Sequence, residues 1–297
     1  MLIQPSSSGD GFFLYFHLMN YVNVNGKIVD GGRPVLMADN KSFRYGDGLF
    51  ETMKIFQRKI LLQEHHFERF FESLKLLQIE TPPVITSQKL SQEILELCDK
   101  NNCRESGRVR LSAYRGNGSI YDGDNALNYI IECQPLDKTA NTLNENGLVI
   151  GLYEDARKSC DKFSNLKSAN YLPYVMAARH AKERNLDDCL LLNVHDCIAD
   201  TTIANVFIIK SGKLITPGLS EGCVNGVMRK YLIEKYRSSR NEVLESRLTQ
   251  KDIEDADEVF LTNAIFGIKW VKKFQQKTYV NFLTKKIYNE FIEPLWS

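Results

Sequence analysis

A mixed α/β chain (α+β in its strand order) with two domains is what the sequence predicts, on three observations. Apolar residues recur at period two in some segments and at helical spacing in others, so strands and helices alternate along the chain. A polar stretch from Pro135 to Gly147 shows little apolar periodicity and reads as an interdomain linker. The 297 residues suffice for two domains with sizeable cores. The expected division is a leader over 1–18, a small N-terminal α/β domain over 19–134, the linker over 135–147 and a larger C-terminal mixed-sheet domain over 148–297.

The elements follow in order. Tyr21–Val29 alternates around Asn25-Gly26, the signature of a β-hairpin with a type I′ turn. Leu49–Ile55 reads as a strand. Phe67, Phe70, Phe71, Leu74 and Leu77 fall at helical spacing over Glu64–Ile79, with Arg69 near the edge of the apolar face. A second helix covers about Ser87–Lys100. Arg108–Tyr114 then alternates Val109, Leu111 and Ala113 against Arg108, Arg110 and Ser112, a strand with two arginines on one face. Asn128–Cys133 closes the first half. Leu148–Leu152 and Leu190–Val194 read as strands around a helix from about Ser168 to Arg184. Ile203–Lys210, Lys213–Thr216 and Glu258–Thr262 are further strands, and the short turns His195-Asp196 and Ser211-Gly212 suggest antiparallel pairing. A helix from about Gly226 to Arg237 is expected to take Asn225 as its cap.

Composition excludes several classes. A 43% hydrophobic, 25% charged chain with net charge +1 is an ordinary globular protein with no bulk attraction for nucleic acid. The apolar stretch Phe12–Met19 is about half the length needed to cross a bilayer. It fits neither anchor nor signal peptide, and Met19 reads as a possible alternative start. Seven cysteines, odd in number and without a CxxC pair, imply reduced thiols and a cytoplasmic setting. Cys189, His195 and Cys197 read as structural residues, and His65-His66 as a surface or packing pair. No metal-site spacing, Walker loop or dinucleotide-binding glycine fingerprint is present.

The informative constellation is dispersed: Arg44-Tyr45-Gly46-Asp47-Gly48-Leu49-Phe50-Glu51-Thr52, His66-Phe67-Glu68-Arg69, Asn165-Leu166-Lys167, Asp200 with Asn205-Val206-Phe207, and Gly222–Arg229. Each has a plain structural explanation alone. In this order, over about Tyr21 to Val271, they resemble the class IV, or branched-chain-aminotransferase-like, pyridoxal-phosphate enzymes of fold type IV. The set also makes chemical sense, because pyridoxal 5′-phosphate needs an amine, cations and N–H groups for its phosphate, and an acid facing its ring nitrogen.

The resemblance implies that Lys167 holds the cofactor covalently and then serves as general acid and base. Arg69 matches the arginine on the cofactor phosphate, with the N–H groups of Val227 and Met228 at the start of the following helix. Tyr171 matches the tyrosine on the phenolic oxygen. Asp200 stands where relatives usually carry a glutamate against the ring nitrogen, and Asn205 lies in the same motif. From the sequence alone Asp200→Glu is expected to preserve or raise transaminase activity. Met228 and Ala264 replace hydroxyl residues common in relatives, which implies weaker cofactor retention unless Thr262, Asn263 or water substitutes.

For the substrate, Arg110 matches a carboxylate-binding strand arginine of branched-chain relatives and Arg115 one of lyase-type relatives, while Tyr45, Phe50 and Tyr121 are candidate pocket walls. The implied activity is amino transfer between an amino acid, of branched-chain or D type, and a 2-keto acid. The implied assembly is a homodimer with the site between the domains. An aminodeoxychorismate lyase is the alternative, and a non-catalytic cofactor- or partner-binding homologue the third.

Overall fold

The computed structural model describes residues 21–121 and 124–296; the expected leader over 1–18 lies outside them. Two sheets organise the chain. The first is built from β1 (Tyr21–Val24), β2 (Lys27–Asp30), β3 (Gly48–Phe56), β4 (Lys59–Ile60), β5 (Ser106–Tyr114) and β6 (Asn128–Pro135), in the order β2-β1-β6-β5-β3-β4, with every pair antiparallel. The expected hairpin opens it, Asn25 and Gly26 turning at φ 51° and 86°, where glycine is favoured. A short helix, α1 (Lys41–Tyr45), precedes β3. Helices α2 (Gln63–Leu76) and α3 (Ser87–Lys100) pack Phe67, Phe70, Leu74, Leu90, Ile94 and Leu97 against Met53, Val109 and Leu111 of the sheet. For α2 the spacing that identified the helix is thus the spacing that buries it.

The second sheet contains β7 (Leu148–Lys158), β8 (Asp188–Asn193), β9 (Ile198–Thr201), β10 (Asn205–Lys210), β11 (Lys213–Pro217), β12 (Val243–Ser246), β13 (Glu258–Asn263), β14 (Gly267–Phe274) and β15 (Lys277–Thr278). Its path is β12-β11-β10-β13-β14-β7-β8-β9, with β15 on β14. The β7/β8, β14/β7 and β11/β12 pairs are parallel, so the sheet is mixed. Helices α4 (Leu172–Glu183), α5 (Val227–Ser238), α6 (Gln250–Glu254) and α7 (Phe282–Ile287) surround it. Among the described residues no helix is long and apolar enough to cross a membrane.

Two boundaries differ from expectation in ways that matter for the site. Helix α4 starts at Leu172 rather than near Ser168, because the chain over 167–169 runs extended along β3: Phe50 N–H donates to Lys167 O (2.9 Å) and Ala169 N–H to Gly48 O (2.8 Å). Helix α5 takes Gly226, not Asn225, as its cap, and no side chain caps it.

The polar stretch after Pro135 holds one 3-10 turn, Lys138–Asn141, and is tied to both sheets by Lys54. This fully buried lysine of β3 donates to Ala140 O (3.0 Å) and Ile265 O (2.8 Å) and lies 3.9 Å from the centre of a Trp296 ring. Burial pushes its pKa down to about 8. The folded chain therefore binds fewer protons than the unfolded one between about pH 8 and the ordinary lysine range, so stability rises with pH across that window, by on the order of 3 kcal/mol. Lys54→Met is expected to flatten that share of the rise in urea melts taken from pH 7 to 10.5; an unchanged rise would assign it elsewhere.

Candidate active site

A cavity of about 490 Å³ opens between the two sheets, and it gathers Arg69, Arg110, Lys167, Tyr171, Asp200, Asn205, Val227 and Met228 from segments far apart in sequence. Its walls come from β3, β5, the chain over 167–174, the β9–β10 turn, the start of α5 and the loop after β13.

The two β3 pairings over 167–169 hold the Lys167 backbone, leaving its side chain to project over Phe50, with Nζ 4.6 Å from the ring centre. Lys167 makes no ion pair among the described residues. Burial, reinforced by the Arg69 charge, pushes its amine down to about 8.

Arg69 is fixed from behind. Its Nε and one terminal nitrogen donate to the two Glu51 carboxylate oxygens at 2.7 and 2.6 Å, and its other terminal nitrogen donates to Asn225 O at 2.8 Å. Burial opposes ionisation of Glu51, but Arg69 and His66, whose Nδ1 lies 2.6 Å from the carboxylate, hold its pKa down to about 2. A guanidinium has five N–H donors, so this clamp leaves two for a ligand. His66 is therefore a buried partner in this network, while His65 meets Glu234 at 2.9 Å on the surface.

Beside Arg69 the first N–H groups of α5 have no acceptor within the helix and no capping side chain. The approach is close: a Cβ on Gly226 would lie 1.9 Å from Asn205 Oδ1, so only glycine fits there. Asn205 itself anchors this turn by donating to Val224 O (2.8 Å). The Met228 side chain is buried in the core between α5 and the sheet, so that residue offers backbone alone. Thr262 Oγ1 is buried on the cavity wall with no hydrogen-bond partner among the described residues, whereas Asn263 is occupied, its Oδ1 accepting from Ile265 and Phe266 N–H.

At the other side Asp200 is 2% exposed and caged. Its Oδ2 accepts from Lys158 Nζ (2.7 Å), Tyr174 OH (3.1 Å) and Val224 N–H (3.0 Å), while Oδ1 is buried with no partner among the described residues. An orphaned carboxylate oxygen beside a cavity is an acceptor set for a ligand N–H. The residues therefore fit pyridoxal 5′-phosphate: an uncapped helix start with an arginine for the phosphate, a free amine, and an unpartnered acid oxygen for a protonated ring nitrogen. Tyr171 stacks on Tyr174 (4.3 Å) and sends its hydroxyl proton to Thr202 O (3.0 Å). To donate to a phenolic oxygen instead, it must release that carbonyl.

Three expected site residues are not brought to the cavity. Tyr45 ends α1, 44% exposed. Arg115 is held by Asp47, Leu77 O and Asn125 Oδ1 and braces the α2 end against the loop before β3. Tyr121 is also away from the lining, at 90% exposure. Glu51, Lys158, Tyr174 and Arg108 were not named from sequence as site residues, whereas Thr262 was named there as a possible phosphate contact. Arg108 and Tyr174 had a signal, the one sharing a strand face with Arg110 and the other one helical turn from Tyr171. Lys158 had none, being brought to Asp200 only by the β7–β8 and β8–β9 pairings.

With this geometry in view, comparison with known proteins gives the class. The model of the class IV amino-transferase family matches residues 48–274, and the chain belongs to that family. Among curated relatives it is 29% identical over 269 residues to the aminodeoxychorismate lyase of Bacillus subtilis, covering 87% of this chain and 88% of that one. It is 25% identical to the D-alanine aminotransferase of Listeria monocytogenes, covering 83% and 85%. Among solved structures, the branched-chain aminotransferase of Thermoproteus uzoniensis with norvaline shares the fold, with a TM-score of 0.83, 23% identity and coverage of 93% and 94%.

Proposed function

We propose that the chain is a pyridoxal 5′-phosphate-dependent aminotransferase that carries the cofactor on Lys167 and moves an amino group between an amino acid and a 2-keto acid. The observation that carries this reading is the unpaired Lys167 amine, lowered to about 8 by burial, in one cavity with an uncapped helix start and the orphaned Asp200 oxygen. When bound, the cofactor supplies the electron sink that stabilises negative charge at the substrate Cα.

The residues divide the remaining work. Arg69 and the Val227 and Met228 N–H groups bind the phosphate, where the helix dipole favours an anion. Asp200 Oδ1 would accept from a protonated ring nitrogen and favour that protonation, its other oxygen being locked by Lys158, Tyr174 and Val224. Lys167 would take and return the proton at the substrate Cα, and a pKa near 8 suits a group that must both take and give it. Arg110, stacked 3.6 Å over Phe50 and donating to Ser112 Oγ (3.1 Å), faces the cavity as the substrate carboxylate holder.

Thr262 replaces the missing hydroxyls at Met228 and Ala264. Thr262→Val is expected to raise the cofactor dissociation constant about three- to tenfold, the worth of one hydrogen bond, in an absorbance titration with pyridoxal phosphate; no change would remove Thr262 from the phosphate site.

A lyase acting on aminodeoxychorismate uses the same residues and is the second reading, supported by the 29% identical Bacillus subtilis relative. Assays with and without a 2-keto acid separate the two, since amino transfer needs the acceptor and elimination does not. We also propose a cytoplasmic homodimer. Supporting it are seven free thiols and the exposed apolar residues Met37, Phe43, Ile120 and Tyr121, on α1 and the loops joined by the Asn40–Asn117 bridge. Sedimentation at micromolar concentration tests the dimer.

A further inference from the structure

A buried cation lies behind the cavity wall. Lys54 follows Phe50 and Thr52, both lining residues, at alternate positions of β3, but its own side chain is fully buried and off the cavity lining. Burying an ammonium is costly unless its donors are met, and a methionine would fill the same space without that cost. What Lys54 adds is three contacts: Nζ donates to Ile265 O (2.8 Å) and to Ala140 O (3.0 Å) and lies 3.9 Å from the centre of a Trp296 ring. Trp296 is fixed in turn, its Nε1 donating to Tyr288 OH (3.3 Å), whose own proton goes to Asn141 O (2.6 Å). The first of these contacts reaches the site. Ile265 belongs to the turn over 264–266, which joins β13 to β14 and lines the cavity. The β13/β14 ladder ends at Asn263 and Gly267, so it fixes Thr262 but not the turn beyond it. Two side chains hold that turn: Asn263 Oδ1 accepts from Ile265 and Phe266 N–H (2.9 and 3.0 Å), and Lys54 donates to the Ile265 carbonyl.

We infer that Lys54 is a positioning residue for substrate binding, which holds the turn over 264–266 at a fixed distance from Arg110 and so sets the shape of the cavity without touching the substrate. This rests on the reading of Arg110 as the carboxylate holder. Thr52, two residues before Lys54, is the register partner of Arg110 in the β3/β5 ladder, so Lys54 and Arg110 belong to one rigid sheet. Ile265 belongs to the other. The Lys54–Ile265 hydrogen bond therefore ties the strand that carries Arg110 directly to a wall supplied by the second sheet. The phosphate end does not depend on this bond: Arg69 is held by Glu51 and Asn225 O, and Thr262 by the ladder. Loss of Lys54 is thus felt by a substrate more than by the cofactor.

The test compares the unmodified protein with Lys54→Met, which keeps the stem and removes the donors. Hydrogen exchange read by mass on peptides reports the turn without any ligand: the Ile265 and Phe266 amides should exchange about tenfold faster in Lys54→Met, with those of β13 over 258–261 changed less than about twofold. Calorimetry with valerate, an unreactive monocarboxylate, on protein loaded with pyridoxal phosphate reports the consequence. Its dissociation constant should rise about tenfold, the worth of one hydrogen bond from a charged donor, while that of pyridoxal phosphate changes less than about twofold. Lys54→Gln, neutral but with two N–H donors on a shorter stem, should fall between the two proteins in both measurements, and it decides the matter if Lys54→Met does not fold. Unchanged exchange in the turn, or faster exchange with unchanged valerate binding, overturns the inference. So does a parallel loss of protection in β13 and of cofactor affinity, which a purely structural role would give. Absence of the cofactor band in the unmodified protein overturns the cofactor reading and the substrate role with it, while the exchange result still decides whether Lys54 holds the turn.

Discussion

Lys167→Ala is expected to lower turnover by about 10⁴-fold or more, because one substitution removes both the covalent anchor of the cofactor and the group that moves the Cα proton. The fold should survive: Lys167 is held through its backbone pairing with β3, and its side chain makes no ion pair with the rest of the chain among the described residues. A melting temperature within a few degrees of the unmodified protein, together with lost activity, would place the defect in the chemistry. Substantial activity in this variant would contradict the assignment of Lys167.

Asp200→Asn carries the second large effect, and it acts on both stability and activity. Lys158 Nζ, only 7% exposed in its side chain, would face a neutral amide in place of its carboxylate. Breaking a buried pair in this way costs about 3–5 kcal/mol, read as a shift in the urea midpoint. The ring nitrogen would lose its acid, and turnover should fall by about a hundredfold or more. Asp200→Glu now has a different expected outcome from the one the sequence suggested. Three donors hold Oδ2 in place, so an added methylene must push the other oxygen by about an ångström, enough to cost on the order of a hundredfold. Activity at or above that of the unmodified enzyme in Asp200→Glu would mean that the cage yields.

Much of the fold was legible because its elements follow local rules. Helix α2 announces itself through Phe67, Phe70 and Leu74 at helical spacing, and β1–β2 through Asn25-Gly26. Elements without a local signal were missed: β9 is the four-residue Ile198–Thr201, fully buried, and β12 pairs in parallel with β11 only across an intervening helix. The site divides the same way. Arg69, Lys167 and Asp200 sit in motifs whose order points to a cofactor, and all three line one cavity. The groups that hold them come from elsewhere in the chain. Glu51 reaches Arg69 through the packing of α2 on β3, and Lys158 reaches Asp200 through the β7–β8–β9 register, contacts set by tertiary structure rather than by spacing along the chain. Arg115 shows the converse, since its motif is that of a ligand-binding residue while Asp47 and Leu77 consume its donors.

The most direct measurement is an absorbance spectrum of the purified protein with added pyridoxal phosphate, before and after borohydride, followed by mass mapping of the modified residue. A band near ~420 nm that borohydride abolishes, with the reduced adduct on Lys167, is the expected result. No band, or an adduct on another lysine, would contradict the cofactor assignment and leave the chain a class IV fold without that chemistry.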